Sequence, residues 1–175
     1  MTVANRILGG ANGRLFEHLR EQKGYTYGAG SGFNATRIPG SWTASTDVRS
    51  EVTDPALTDL LDEIRQMREV PVSDKELADT KKAIIAGFAL SLENPNVILS
   101  DYIDRYIYHL PADYWDTYPA RIEAITAADI QRVAKTYWAP ERLQIVAVGD
   151  ASKVEPALSK LGTVQKFDAE GKEIK

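Results

Sequence analysis

The chain contains no cysteine. Disulfides, thiolate zinc ligands and a cysteine nucleophile are therefore excluded, and the redox compartment is left open. Histidine is scarce. His18 and His109 stand far apart, and neither has a second histidine or a glutamate at metal-ligand spacing. The zinc-peptidase patterns H-E-x-x-H and H-x-x-E-H are both missing, so no self-contained catalytic zinc site is expected. A serine triad would need a histidine base, and no serine occupies a nucleophile-elbow pattern. No apolar run approaches the roughly 18 residues of a membrane span. The formal charge is −4 with scattered basic residues, so the electrostatic footprint of a nucleic-acid binder is lacking. "GGANG" and "GAGSG" have neither the lysine of a phosphate loop nor its strand-to-helix setting.

The 175 residues are 43% hydrophobic and 26% charged, as in a globular domain of ordinary size. The 25 carboxylates fall on the polar faces of helices, where solvated surface charge is their ordinary role. No signal peptide is visible at Met1. The chain opens on "TVANRILGG", which already reads as helix, so the expectation is a cut into a longer protein.

Helical patterns dominate the order of elements. Residues 3–8 form a short apolar helix before Gly9-Gly10. A second helix, 12–22, buries Leu15, Phe16 and Leu19 and stops at Gly24. Residues 25–36 and 41–48 read as a hairpin, with "RIPG" as its turn. Its glycines imply close approach by another backbone or by a ligand. "TDPALTDLLDEIRQM" places Leu57, Leu60, Leu61, Ile64 and Met67 on one helix face. "SDKE" at 73–76 is a capping box opening a helix to about Leu92, broken by Asn94-Pro95. A further helix carries Leu99, Tyr102, Ile103, Tyr106 and Ile107 and ends before Pro111, with His109 at that end. A short helix follows in "PADYWDTYPARIEAI", and Thr126 to Asp129 caps the next. Residues 143–148 read as a buried strand, 151–161 as a helix and 164–167 as a short strand.

The fold class is therefore α+β, with helices packed on one face of a mostly antiparallel sheet. Residues 1–168 form one domain, and 169–175 are a polar tail. The helices offer more apolar face than four strands cover, which implies strands upstream of Met1 or a partner subunit.

One junction carries unusual residues. "ILGG" at 7–10 is followed by "RLFEHLREQKGYTYGAGS" at 14–31, and later by "DYWDTYPARIEAITAADIQRVAKTYWAPERLQIVAVGD" at 113–150. This pattern resembles the pitrilysin/insulinase group of zinc peptidases, which includes mitochondrial processing peptidase and the core proteins of the respiratory bc1 complex. In that family two homologous domains face each other across a chamber. One holds zinc on H-x-x-E-H. The other contributes an arginine and a tyrosine seven residues apart, which Arg20 and Tyr27 match. One departure is Gly13, where the family commonly has serine; it loosens the start of the second helix and leaves the pair intact.

The resemblance implies the C-terminal, non-zinc half of such a peptidase. Arg20 and Tyr27 would bind substrate and stabilise the transition state, because negative charge develops on the oxygen of a peptide carbonyl under attack. Tyr25, Gly28 and Gly30 would help an extended peptide lie along the strand. No metal ligand is expected here; zinc is expected in the partner. The implied partners are an H-x-x-E-H-bearing homologous domain, in cis or in trans, and an unstructured peptide, with a homo-oligomer of the fragment also open. The chain alone is expected to be inactive.

Each residue also has a plainer reading. Arg20 in a last helical turn suits the helix dipole without any catalysis, and Tyr25 and Tyr27 could serve only in packing. Arg14 is expected to pair with Glu17 or Glu21, or to cap the preceding glycine turn. His18 is expected on the exposed side of its helix. An inert structural member of the same fold and a stand-alone peptide-binding module are the rival functions. A periplasmic or cell-envelope location is preferred over the cytoplasm.

Overall fold

The computed structural model describes residues 1–35, 37–38 and 40–174. Thr36 and Pro39 of the expected hairpin turn, and Lys175, lie outside the described residues. Helix α1 (Thr2–Gly9) buries Val3, Ala4, Ile7 and Leu8, the spacing of one helical face. Helix α2 (Arg14–Phe16) runs directly into a π turn, Glu17–Gln22. Gly24 then reverses the chain at φ +62°, a conformation that glycine adopts without penalty. Its N–H donates to the Arg20 carbonyl at 3.0 Å, and that of Tyr25 to the Leu19 carbonyl at 2.9 Å.

Strands β1 (Ala29–Phe33) and β2 (Trp42–Thr46) form the expected antiparallel hairpin, with Ala29 opposite Thr46 and Phe33 opposite Trp42. It is fastened to α1 by Asn5. The Asn5 amide donates to the Ser31 carbonyl at 3.0 Å, and its oxygen accepts from Ser31 Oγ and Trp42 Nε1, both at 2.8 Å.

Helices α3 (Thr53–Glu69), α4 (Asp74–Ser91) and α5 (Pro95–Ile107) follow, then α6 (Tyr118–Glu123), α7 (Ala127–Tyr137) and α8 (Ala151–Leu158). Ser73, Asn94, Thr126 and Asp150 each accept a backbone N–H at their helix start, as N-cap residues do. The core gathers Leu8, Leu15, Leu19, Ile64, Met67, Ile130 and Trp138, drawn mainly from α1, α2, α3 and α7. Trp138 is fully buried, its ring 4.9 Å from that of Trp42. The architecture is α+β.

Two expectations need correction. The stretch 143–148 is not a buried strand. It has no regular structure, and only Leu143 touches the core, while Val146 and Val148 are 87% and 99% exposed. A strand needs a neighbour to take its backbone hydrogen bonds, and none of the described strands lies alongside. The stripe on α5 is helical as read but uncovered, with Leu99, Tyr102, Ile103, Tyr106 and Ile107 all exposed. At the C-terminus, β3 (Lys166–Phe167) pairs antiparallel with β4 (Glu173–Ile174), so residues after 168 return along the chain as a small hairpin. Among the described residues no single helix is long and apolar enough to cross a membrane.

Candidate functional site

Tyr25 and Tyr27 line a cleft of about 500 Å³ between the end of the π turn and the exit of β2, together with Thr26, Asp47, Val48 and Arg49. The hairpin register explains the company. Continued past Ala29 and Thr46, it brings Tyr27 level with Val48 and Gly28 level with Asp47. Asp47 and Arg49 were missed as candidates. The expected bounds of 25–36 and 41–48 did not carry this, since pairing 36 with 41 sets Tyr27 level with Ser50, and only the observed register brings it level with Val48.

Tyr27 is 95% exposed and its ring stands in solvent. Its backbone neighbours are fixed. Thr26 Oγ1 donates to the Gly28 carbonyl at 2.8 Å and accepts from the Gly28 N–H at 3.0 Å, and Thr46 Oγ1 reaches the same carbonyl at 3.1 Å. No heavy atom lies within 4 Å of where a Gly28 side chain would start, so the chain just before β1 is open to an approaching molecule there.

Gly30 is different. A Cβ there would meet the Gly9 carbonyl at 3.1 Å, and one on Gly9 would meet the Ser31 nitrogen at 2.1 Å. The neighbour that Gly30 serves is therefore the end of α1.

Arg20 projects from the π turn and does not line the Tyr27 cleft. Its guanidinium lies 4.7 Å from the centre of the Phe16 ring, with Nε 3.5 Å from Glu21 Oε1. The arginine side chain is 42% exposed. Both contacts lie within its own helix and leave the group accessible. The structure thus brings Tyr25, Tyr27 and Gly28 together, turns Gly30 toward α1 and leaves Arg20 on the preceding helical turn.

A second cleft, of about 690 Å³, opens between α2, α3 and α4 and corrects two pairings. Arg14 binds neither Glu17 nor Glu21. It makes a two-point bridge to Glu76, Nε to Oε1 at 2.8 Å and Nη2 to Oε2 at 2.7 Å. The Glu76 hydrogen bonds, with partial burial opposing them, raise the Arg14 pKa above its ordinary value. Glu76 is consequently not folded back to complete the capping box at Ser73, which keeps only the bond from the Glu76 N–H to Ser73 Oγ at 3.2 Å. His18 is not on an exposed face either. It packs against α3, with Nδ1 2.9 Å from Glu63 Oε1 and Nε2 3.9 Å from Asp59 Oδ2. Among the described residues no three His, Cys, Asp or Glu side chains are grouped so as to hold a metal ion.

With this geometry in place, residues 1–84 match the family model described as peptidase M16 inactive domain. That match likens this stretch of the chain to an M16 inactive domain. Three solved structures are similar to it. A peptidase M16 inactive domain from Pseudomonas fluorescens aligns at TM-score 0.69 and 24% identity, over 78% of this chain and 33% of that one. A conserved protein from Enterococcus faecalis V583 aligns at 0.66 and 26%, over 77% and 31%. A protease from Helicobacter pylori aligns at 0.65 and 17%, over 78% and 33%. The chain thus spans about a third of the length of the solved structures it matches. No curated protein matches it. The pitrilysin-type, non-zinc assignment carried by the 14–31 junction agrees with the family match.

Proposed function

We propose that this chain closes a peptidase chamber over an extended peptide and supplies Arg20 and Tyr27 to the reaction at a metal held by a homologous H-x-x-E-H-bearing partner. The observation that carries the proposal is the Tyr27 phenol, which stands free at the mouth of a cleft beside the open backbone of Gly28. A large aromatic left in solvent on the bend that leads into β1 makes no packing contact within this chain that would explain it.

The π turn adds support, because such turns occur frequently at functional sites. It widens the helix at Arg20, the other residue of the pair. A peptide lying past the open face of Gly28 would take main-chain hydrogen bonds from Thr26 and Tyr27, with little side-chain selectivity, because the Gly28 N–H and carbonyl are engaged by Thr26 and Thr46. Zinc in the partner would supply the Lewis acid and the nucleophile. From this chain, the phenol O–H and the guanidinium would donate to the carbonyl oxygen as its charge grows.

The test is cleavage of a fluorogenic peptide after mixing with the zinc-bearing half. Tyr27→Phe and Arg20→Ala should each lower kcat by about 10²- to 10³-fold, the cost of one lost oxyanion donor, with the complex still formed. The chain alone should cleave nothing. Parent-like rates in both variants would overturn the catalytic role.

One observation favours the structural alternative. Arg20 contacts Phe16 and Glu21 within its own helix and lies outside the Tyr27 cleft. If complex formation persists in both variants and cleavage is unchanged, that inert assembly role is the correct one.

A further inference from the structure

Among the described residues, the Arg20 guanidinium makes one ion pair, with Glu21, and one ring contact, with Phe16. Both partners belong to its own helix, so the backbone of the π turn decides where the group emerges. That backbone is fastened to α3 on either side of Arg20. Before it, His18 Nδ1 lies 2.9 Å from Glu63 Oε1, and Nε2 lies 3.9 Å from Asp59 Oδ2. After it, Lys23 Nζ lies 3.8 Å from the same Asp59 oxygen. Asp59 and Glu63 stand four positions apart and so share one face of α3.

His18 holds the turn in two ways. Its carbonyl accepts from the Lys23 N–H at 3.1 Å, the five-residue step that makes the turn π and not α. Its imidazole donates from Nδ1 to Glu63, whose carboxylate can only accept. Asp59 Oδ2 is buried without a hydrogen-bond partner among the described residues, and it faces the imidazole and the Lys23 ammonium. A covered carboxylate oxygen is costly to leave without a donor, so it draws both groups toward α3. Residues two apart on a helix project from roughly opposite sides. With His18 drawn onto α3 and Leu19 fully buried, Arg20 is left on the far side, in the open.

We propose that His18 is the positioning residue for Arg20. Pinned between Asp59 and Glu63, it fixes the register of the π turn, and with it the side from which the guanidinium reaches the substrate carbonyl. This role rests on the function proposed above and adds to it the acidic pair on α3 as the seat of the arginine.

A double-mutant cycle in the peptidase assembled with the zinc-bearing half tests it. His18→Ala should lower kcat by about 10- to 10²-fold, the scale of a misplacement of about 1 Å, and leave KM nearly unchanged. In an Arg20→Ala background the same substitution should change kcat by less than about twofold, because a group that acts only through Arg20 has nothing left to position. A general loss of structure would instead carry over to that background in full. Glu63→Gln keeps the shape of the side chain and removes the charge beside Nδ1. It should lower kcat in the same direction, lose its effect once Arg20 is gone, and supply the cycle if His18→Ala fails to fold. A parent-like kcat in the folded His18 variant overturns the positioning role, and so do equal effects with and without Arg20; in both cases Arg20 keeps its own part. If Arg20→Ala itself cleaves at the parent rate, the function proposed above fails and the role of His18 falls with it.

Discussion

Arg14 grips Glu76 with two parallel hydrogen bonds of 2.8 and 2.7 Å, joining the first turn of α2 to the first turn of α4 across 62 positions of sequence. Both side chains are mostly covered, at 22% and 28% exposure, so the pair is less screened than a surface ion pair. Arg14→Ala leaves Glu76 partly buried without its cation. The expected loss is about 1.5–3 kcal/mol, the range for hydrogen bonds to charged groups. Arg14→Lys should recover little of it, because an ammonium cannot reproduce the two-point geometry. Urea denaturation of the three proteins checks both statements. A lysine variant as stable as the parent would show that charge alone matters at this contact.

That contact also shows where sequence reading stops. Elements set by local chemistry were legible: the stop at Gly24, the caps at Ser73 and Thr126, the break at Asn94-Pro95, and the hairpin in its alternating residues. Local preference also proposed the nearest charged partners for Arg14, namely Glu17 and Glu21. The packing of α2 against α4 decided otherwise, and no spacing rule carries that information. The stretch 143–148 failed for a related reason. Its apolar run has strand character, but pairing needs a second segment in place. At the candidate site, Tyr25 and Tyr27 were visible as residues, while Asp47 and Arg49 became neighbours only through the hairpin register.

Gly9 and Gly28 should respond oppositely to alanine. At Gly9 the new methyl would strike the Ser31 nitrogen at 2.1 Å, and that nitrogen belongs to β1, which cannot swing away like a flexible side chain. Overpacking of this kind costs typically about 1–3 kcal/mol. Gly28→Ala meets nothing within 4 Å and should leave the melting temperature near that of the parent. Under the proposed function peptide affinity should nevertheless fall, since the methyl would occupy the open face of the chain just before β1. Thermal melting and peptide titration of both variants separate the two roles.

Acid should weaken the fold through α7. The Thr126 hydroxyl and backbone N–H both donate to Asp129, Arg132 adds a third donor, and together they hold the Asp129 carboxyl below its ordinary value of 3.8. A carboxylate depressed in the folded state contributes stability that is complete above its unfolded pKa and lost as pH falls through the folded one. Asp150, bound to Ser152, acts in the same direction. Asp101 acts in the opposite one, raised by desolvation and by Asp104. Asp129→Asn should therefore melt below the parent at pH 7, with the difference closing as pH drops from about 5 to about 2. A constant difference over that range would mean that the carboxylate charge has no part in the cap.

Trp138 should be the most costly side chain to truncate. Its ring is fully buried against Trp42, and Arg68 Nη1 donates to its carbonyl at 3.2 Å, tying α3 to the end of α7. Trp138→Ala empties the centre of the core and should cost about 3–5 kcal/mol. Trp138→Phe keeps an aromatic ring against Trp42 and removes an indole N–H that has no hydrogen-bond partner among the described residues. The phenylalanine variant should therefore lose much less than the alanine one. Equal losses would place the cost in the indole's shape and exclude its buried N–H from the balance.

Tyr27 and Arg20 should behave as the reverse of Trp138. Neither is held in the interior, and the phenolic oxygen of Tyr27 sits on a residue that is 95% exposed. Substitutions at exposed positions generally change stability by no more than about 0.5 kcal/mol. Tyr27→Phe and Arg20→Gln should accordingly unfold at the same denaturant midpoint as the parent, within that margin. This matters for interpreting any loss of peptide cleavage in the assembled peptidase. If the midpoints are unchanged and kcat falls, the lost groups act on the reacting carbonyl. If Arg20→Gln instead shifts the midpoint by more than 1 kcal/mol, its contacts with Phe16 and Glu21 are structural, and the helix rather than the substrate is what the guanidinium serves.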